Sequence, residues 1–248
     1  MSLRRALRQA FTDFYFNSWR LAPANLIWGV GLVVALLAGP NTVVGMALLV
    51  ALAVPVAGLH RLAALIARGE AVAFSDFVDG MRRYALAALT IGTLAAVLAL
   101  VFTTNVLVGL GNGGPLGWVI SALALHGLVA LAMFLVAFWP ILVDPNREAL
   151  GLRARLGLTA LTVIGRPVRL LALTAVVGLV LAVSVVLFAA LMVVSVAYVS
   201  LVASRYVLPL VDELEANLPR AVTGEAALTA AGPDGTALDD RRGLIAPP

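Results

Sequence analysis

The chain has 248 residues, of which 62 % are hydrophobic and 12 % are charged, and its mean hydropathy is +1.04. Soluble domains carry roughly 25 % charged residues, so this composition excludes a water-soluble enzyme and a disordered chain. The absence of cysteine excludes a disulfide scaffold and a cysteine-based metal site. With only two histidines a histidine-rich metal site is excluded as well, and we expect no cofactor. The composition predicts an all-α, polytopic membrane protein whose surroundings are the lipid bilayer.

Three stretches of the sequence carry no charged residue, at 21–60, 84–143 and 170–204. A membrane-spanning helix needs about 20 apolar residues, and turn signals at 39–41 and 109–115 divide the first two stretches into helix pairs. The third stretch has no such signal, yet a single helix there would be about 52 Å long. That helix would need a tilt of about 55°, beyond the usual range of roughly 0–40°, so we place a turn near Ser184–Phe188.

The resulting prediction is six transmembrane helices arranged as three hairpins. They lie near 23–38, 42–60, 85–108, 116–142, 168–185 and 189–211. Together they form a single transmembrane domain over residues 1–220. The tail at 221–248 is rich in small and polar residues and has no periodic apolar face, so we expect it to be disordered and cytoplasmic.

Arginine placement predicts the orientation of the helices. Arginines occur before residue 21, in the 61–83 and 144–169 loops and after residue 204, whereas the three short turns carry none. Six helices put all arginine-bearing segments on one side, which the positive-inside rule identifies as the cytoplasm. Five would leave the arginine-bearing tail outside. The pattern predicts a multi-pass protein of the cell membrane with both termini cytoplasmic. It does not resemble a nucleic-acid surface, because the arginines are spread over short loops without stacking aromatic residues.

The cytoplasmic segments have helical periodicity of their own. Apolar stripes at 3–14 and 74–84 predict amphipathic helices, the first of them lying at the membrane interface. Asp144-Pro145 begins a third predicted helix, with the aspartate as cap and the proline in the first turn. This helix should end near residue 164, because a glycine and a proline follow.

Several short motifs are spread over the chain. They are Phe14-Tyr15-Phe16-Asn17, Asn25-Leu26-Ile27-Trp28, Arg68-Gly69-Glu70-Ala71-Val72, Asp76-Phe77, Trp139-Pro140 and Arg166-Pro167. In these motifs the chain resembles the YesL-like family of small bacterial membrane proteins, whose function is unknown. It departs from the family where a Thr-x-Gly-Pro step often precedes the second span, since Ala38-Gly39-Pro40 stands here. The resemblance implies a polytopic helical protein, often encoded near carbohydrate-uptake systems, and no catalytic residues.

A few polar side chains inside the predicted spans are candidate site residues. His126 is the one ionisable side chain deep within a span, which makes it a functional candidate. No aspartate or glutamate lies within a span to complete a proton relay, which favours a structural role for His126 as a hydrogen-bonding link between helices. Asn25, Asn105 and Thr104 lie near span ends, where they either bind a ligand or join helices. An aromatic belt at the membrane interfaces is predicted from Trp19, Trp28, Trp118 and Trp139.

These observations favour a non-enzymatic accessory protein that assists or regulates a carbohydrate uptake system, with a membrane transporter complex as its partner. The alternative is a small transporter or channel subunit, for which six helices suffice as a homo-oligomer. The scarcity of polar side chains within the spans speaks against it. An intramembrane enzyme is a third possibility, but it needs positioned acids, bases or a metal, and the spans offer one histidine.

A topology reporter inserted after Leu218 tests the prediction of six helices. With six spans the reporter should be cytoplasmic, like one placed at the N-terminus. A periplasmic or external signal at this position would mean an odd number of spans and would contradict the prediction.

Overall fold

The computed structural model describes residues 2–217, without the side chains of residues 189 and 191. Within that range every regular element is a helix and no strand occurs. Six helices or helix runs are long and apolar enough to cross a membrane, so the predicted all-α polytopic fold class is confirmed. As far as Glu213 the described chain is one compact body. The tail predicted to be disordered, 221–248, lies outside the described residues.

The candidate spans follow one another as three hairpins. The first joins α1 (Leu3–Leu37) to a span made of α2 (Val43–Ala51) and α3 (Ala53–Arg68). The second joins α4 (Phe74–Asn112) to α5 (Gly114–Val143). The third joins α7 (Pro167–Val186) to a run of α8 (Phe188–Ala190), a π-helical segment (Leu191–Ser195) and α9 (Val196–Asn217). Between the second and third hairpins lie a 3₁₀ turn (Pro145–Arg147) and α6 (Leu152–Gly165).

The turns within the hairpins differ in backbone conformation and in their use of glycine. Gly39 and Gly113 have φ values of +86° and +62°, a left-handed region that favours glycine. The third turn has no glycine. There α7 ends at Val186, and Leu187 leaves the helical region with φ −99° and ψ 71°. The break lies within the turn region that we placed by excluding a single long helix.

The N-terminal amphipathic stripe does not form a separate helix on the membrane surface. It makes up the first turns of α1, which continues through Pro23 without a break, as membrane helices tolerate. Ala6 and Ala10 are fully buried, and Leu7 and Phe14 pack against the same core. The separate interfacial helix that we expected is therefore not formed. The stripe belongs to α1 and packs against the protein except at Phe11, which is 67 % exposed. The apolar stripe at 74–84 likewise makes up the first turns of α4, which begins at Phe74.

The predicted third cytoplasmic helix is interrupted. The Asp144 carboxylate accepts a hydrogen bond from the backbone N–H of Asn146 at 3.2 Å, which stabilises a tight 3₁₀ turn. Gly151 then adopts an extended conformation, with φ −67° and ψ 161°, immediately before α6 begins. The short turn places Asp144 and Arg147 three residues apart on the inner side of the loop, where both are buried.

Glycines allow two pairs of elements to approach closely. A Cβ on Gly58 of α3 would lie 2.7 Å from the carbonyl oxygen of Phe77 on α4. A Cβ on Gly29 of α1 would lie 3.1 Å from the Cα of Met192 in the π-helical segment. Helices in lipid associate largely through such close packing, since the hydrophobic effect does not distinguish a neighbouring helix from lipid.

Gly58→Ala should destabilise the bundle by about 1–3 kcal/mol, because the added methyl group meets backbone and forces α3 and α4 apart. The free energy of unfolding, measured by denaturant titration in detergent micelles, tests this expectation. Gly178→Ala is the matched control, since a Cβ there meets nothing within 4 Å. That variant should be neutral or up to about 1 kcal/mol more stable. Equal effects of the two substitutions would contradict the packing argument.

Candidate functional site

Four charged side chains, the arginine–aspartate cluster, meet at one end of the bundle. Arg68, the last residue of α3, binds Asp144 and Asp212 with N–O distances of 2.6 Å each. Arg147, in the 3₁₀ turn, binds Asp212 at 2.7 Å and also contacts Asp144. The cluster thereby joins α3, the segment after α5 and α9, which are far apart in the sequence.

Burial makes the members of this cluster depend on one another. The side chain of Asp144 is 0 % exposed and that of Arg147 is 5 % exposed, whereas Asp212 is 42 % exposed. Removing a charge from water costs several kcal/mol unless a partner compensates it, and here two positive and two negative charges balance. Each carboxylate is engaged by two guanidinium groups, an arrangement that favours a structural joint over an acid–base centre.

Two further arginines bind the carbonyl groups at the C-terminus of α5. Arg61 donates to the Val143 carbonyl at 2.9 Å, and the buried Arg155 donates to the Leu142 carbonyl. The last carbonyl groups of a helix have no partner within the helix and carry the negative end of its dipole. A guanidinium group supplies both the missing donor and the opposite charge. Arg61 also forms an ion pair with Glu148 at 2.6 Å.

Arg205 of α9 has the same role at the C-terminus of α3. It donates to the carbonyl groups of Ile66 and Ala67 at 3.2 Å each, and its Nε donates to Asp13 of α1 at 2.6 Å. One side chain thus holds three helices at the same level. Sequence reasoning used these arginines only as markers of orientation, because the carbonyl groups that they bind come close only in the folded bundle.

Asn25 is fully buried and links α1 to the π-helical region. Its Nδ2 donates to the Met192 carbonyl and its Oδ1 accepts from the Ala197 N–H, at 2.8 Å each. A π-helical turn departs from the regular i→i−4 hydrogen-bond pattern, and the amide offers a donor and an acceptor to the backbone there. Of the two roles predicted for Asn25, the geometry favours the link between helices.

The other predicted site residues do not come together inside the bundle. His126, Asn105 and Thr104 are exposed on α4 and α5. The Nδ1 of His126 lies 2.7 Å from the Ala122 carbonyl of its own helix, so the expected link between helices is not formed through this atom. Asn105 borders a groove of about 260 Å³ between α4 and α5.

The buried histidine is His60, which we did not select because it stood at the predicted end of the second span. It is 4 % exposed, and its ring stacks on Trp139 with centroids 6.1 Å apart and planes 18° apart. Both residues line a cavity of about 420 Å³, the inner cavity, together with Trp28. Trp19 and Trp118 are exposed, as an aromatic belt requires. Trp28 and Trp139 instead line the inner cavity.

Among residues 2–217, no group of three or more His, Asp or Glu side chains is placed to hold a metal ion. No protein-family profile, curated protein or solved structure matches the sequence. The function therefore has to be argued from the geometry of the chain itself.

Asp144→Asn should lower the free energy of unfolding by about 3–5 kcal/mol, because it leaves buried guanidinium charge without its partner. Glu213→Gln is the control, since Glu213 is half-exposed and pairs with Arg166 at the surface, where a pair contributes about 0–1 kcal/mol. Adding Arg147→Met to Asp144→Asn should recover part of the loss by removing the uncompensated charge. Additive losses in the double variant would contradict mutual compensation within the cluster.

Proposed function

We propose that this chain is a non-enzymatic integral membrane accessory protein that assists or regulates a carbohydrate uptake system. The observation that carries the proposal is the distribution of charge at one end of the bundle. As far as Glu213 the described charged residues lie in the segments 4–20, 61–83, 144–169 and 205–213, which the three hairpins bring to the same end. Buried charges there bind one another and the carbonyl groups of helix ends. Their role is therefore to hold the helices together.

Other arginines in the same segments are exposed. No carboxylate of the described chain forms an ion pair with any of them. They are Arg4, Arg5, Arg8, Arg82 and Arg153. Because exposed, unpaired guanidinium groups attract carboxylates and phosphates, this charged face suits an acidic surface of a partner protein. By the positive-inside rule the face is cytoplasmic, which is where we place the partner.

The carbohydrate uptake system enters through the resemblance to YesL-like proteins, which are often encoded near such systems. A membrane-embedded component of a carbohydrate transporter is the partner that this resemblance favours. The surface that carries the exposed arginines would hold that component at a fixed depth relative to the bilayer.

A small transporter or channel subunit is the second candidate, and the inner cavity favours it. A cavity among five spans could hold a solute during passage, and a homo-oligomer could complete a pathway. Solute flux in proteoliposomes that is lost on His60→Ala but retained on His126→Ala would support this alternative.

Photo-crosslinking in cells tests the accessory role directly. A photo-reactive amino acid at position 82, on the charged face, should form an adduct with a membrane protein, identified by mass spectrometry as a transporter component. The same residue at position 123 is the control, because Leu123 is 68 % exposed on the apolar surface of α5 and should contact lipid. Adducts with lipid alone at both positions would contradict the proposal.

A further inference from the structure

The inner cavity lies among five of the spans and opens to the outside of the bundle near Val185. Helices α1, α3, α5, α7 and α9 all contribute to it, and its volume is about 420 Å³. Small-molecule sites typically occupy roughly 300–1,000 Å³ and are mostly apolar with a few polar groups. The lining follows this pattern and includes Trp28, His60, Trp139, Val177, Val199 and Ala203.

Two polar atoms on residues that line the cavity have no hydrogen-bond partner. These are the Nδ1 of His60 and the Nε1 of Trp28, and both atoms are buried. The indole N–H is a donor only, whereas the imidazole Nδ1 donates or accepts according to its tautomer. Buried polar atoms are paired in the great majority of proteins. Five other buried side-chain atoms of the described chain are also unpaired, but none of their residues lines this cavity. The coincidence of two such nitrogens with one apolar cavity favours a partner supplied by a molecule outside the chain.

Neither water nor a peptide segment fits this space. A buried water typically makes about three hydrogen bonds, and the lining is almost entirely hydrocarbon. A helix with its side chains is about 10–12 Å across, too wide for a cavity of this volume. An apolar molecule of lipid-like size would restore the dispersion contacts that the lining atoms lack.

The exposed fractions of the lining residues indicate from which side a molecule would enter the cavity. His60 is 4 % exposed at the closed end, whereas Val185, near the end of α7, is 64 % exposed. A molecule whose polar group reaches His60 would thus extend its apolar part toward Val185. The two nitrogens are covered in the empty cavity, so binding would require a turn of the imidazole or indole ring.

We propose that the inner cavity binds a membrane-soluble, mostly apolar molecule that carries a hydrogen-bond acceptor such as an ester, carbonyl or hydroxyl oxygen. His60 and Trp28 provide its polar contacts, and Trp139 and the aliphatic lining enclose its hydrocarbon part. The occupant is a lipid of the bilayer or a free apolar molecule of the same chemistry. This inference does not depend on the identity of a protein partner.

Quenching of tryptophan fluorescence tests the binding. In a protein carrying Trp19→Phe and Trp118→Phe, the remaining tryptophans of the described fold, Trp28 and Trp139, both line the cavity. The probes are a brominated medium-chain methyl ester and a bromoalkane of matched length, added to the purified protein in detergent. The ester should quench saturably and at a concentration about tenfold lower than the bromoalkane, which corresponds to one additional hydrogen bond.

Two variants separate binding in the cavity from partition into detergent. His60→Phe keeps an aromatic ring against Trp139 but has no nitrogen, and it should reduce the tenfold preference for the ester to what the Trp28 N–H alone supplies. Ala203→Phe fills the cavity from α9 and should weaken quenching by both probes. Circular dichroism and gel filtration show whether each variant is folded, and Ala203→Leu replaces Ala203→Phe if the larger ring prevents folding.

Each result of the quenching experiment decides one part of the proposal. Linear, non-saturating quenching by both probes means partition into detergent and overturns the proposal. Saturable quenching without preference for the ester overturns the polar contact, and quenching unchanged by the filling variants overturns the location. If saturable quenching by the ester is competed by unlabelled phospholipid, the natural occupant is a bilayer lipid. If it is not competed, the occupant is a free apolar molecule of the same class.

Discussion

Carbonyl groups at the ends of α3 and α5 need hydrogen-bond donors, and arginines from distant parts of the sequence provide them. Arg205 binds the end of α3 while Arg61 and Arg155 bind the end of α5. These contacts align the helix ends at one level. The alignment brings Asp144 into the bundle, where its charge is tolerable only because Arg68 and Arg147 are already there. The arrangement of the helices thus depends on interactions between guanidinium groups and the ends of helices.

Away from this charged end, the helices are held by shape and by a few neutral hydrogen bonds. Glycines bring α3 and α4 into contact, and Asn25 binds α1 to the π-helical region. The π-helical region in turn leads into α9, whose Val196, Val199 and Ala203 form part of the wall of the inner cavity. The irregular backbone and the cavity are therefore parts of one arrangement, to which the buried amide of Asn25 contributes two hydrogen bonds.

The charged end and the inner cavity suit binding partners of different chemistry. The charged end has exposed arginines around a self-neutralised centre, which suits contact with another macromolecule. The inner cavity is apolar and has unpaired nitrogens, which suits a small lipid-like molecule. α3 and α9 connect the two, since Arg68 and His60 lie on one helix and Arg205 and Ala203 lie on the other.

The sequence by itself determined the fold class, the number of spans and the grouping of charges, because hydropathy and charge act along the chain and need no knowledge of neighbours. The length of the third uncharged stretch was enough to require a turn within it. Tertiary structure decided which polar residues are inside. His126, although central in its span, is exposed, whereas His60, beside a charged residue, is buried. The physical reason is that the rotation of each helix about its axis, which selects the face turned inward, is set by contacts with other helices, such as the close approach at Gly58 and the arginine bonds to helix ends.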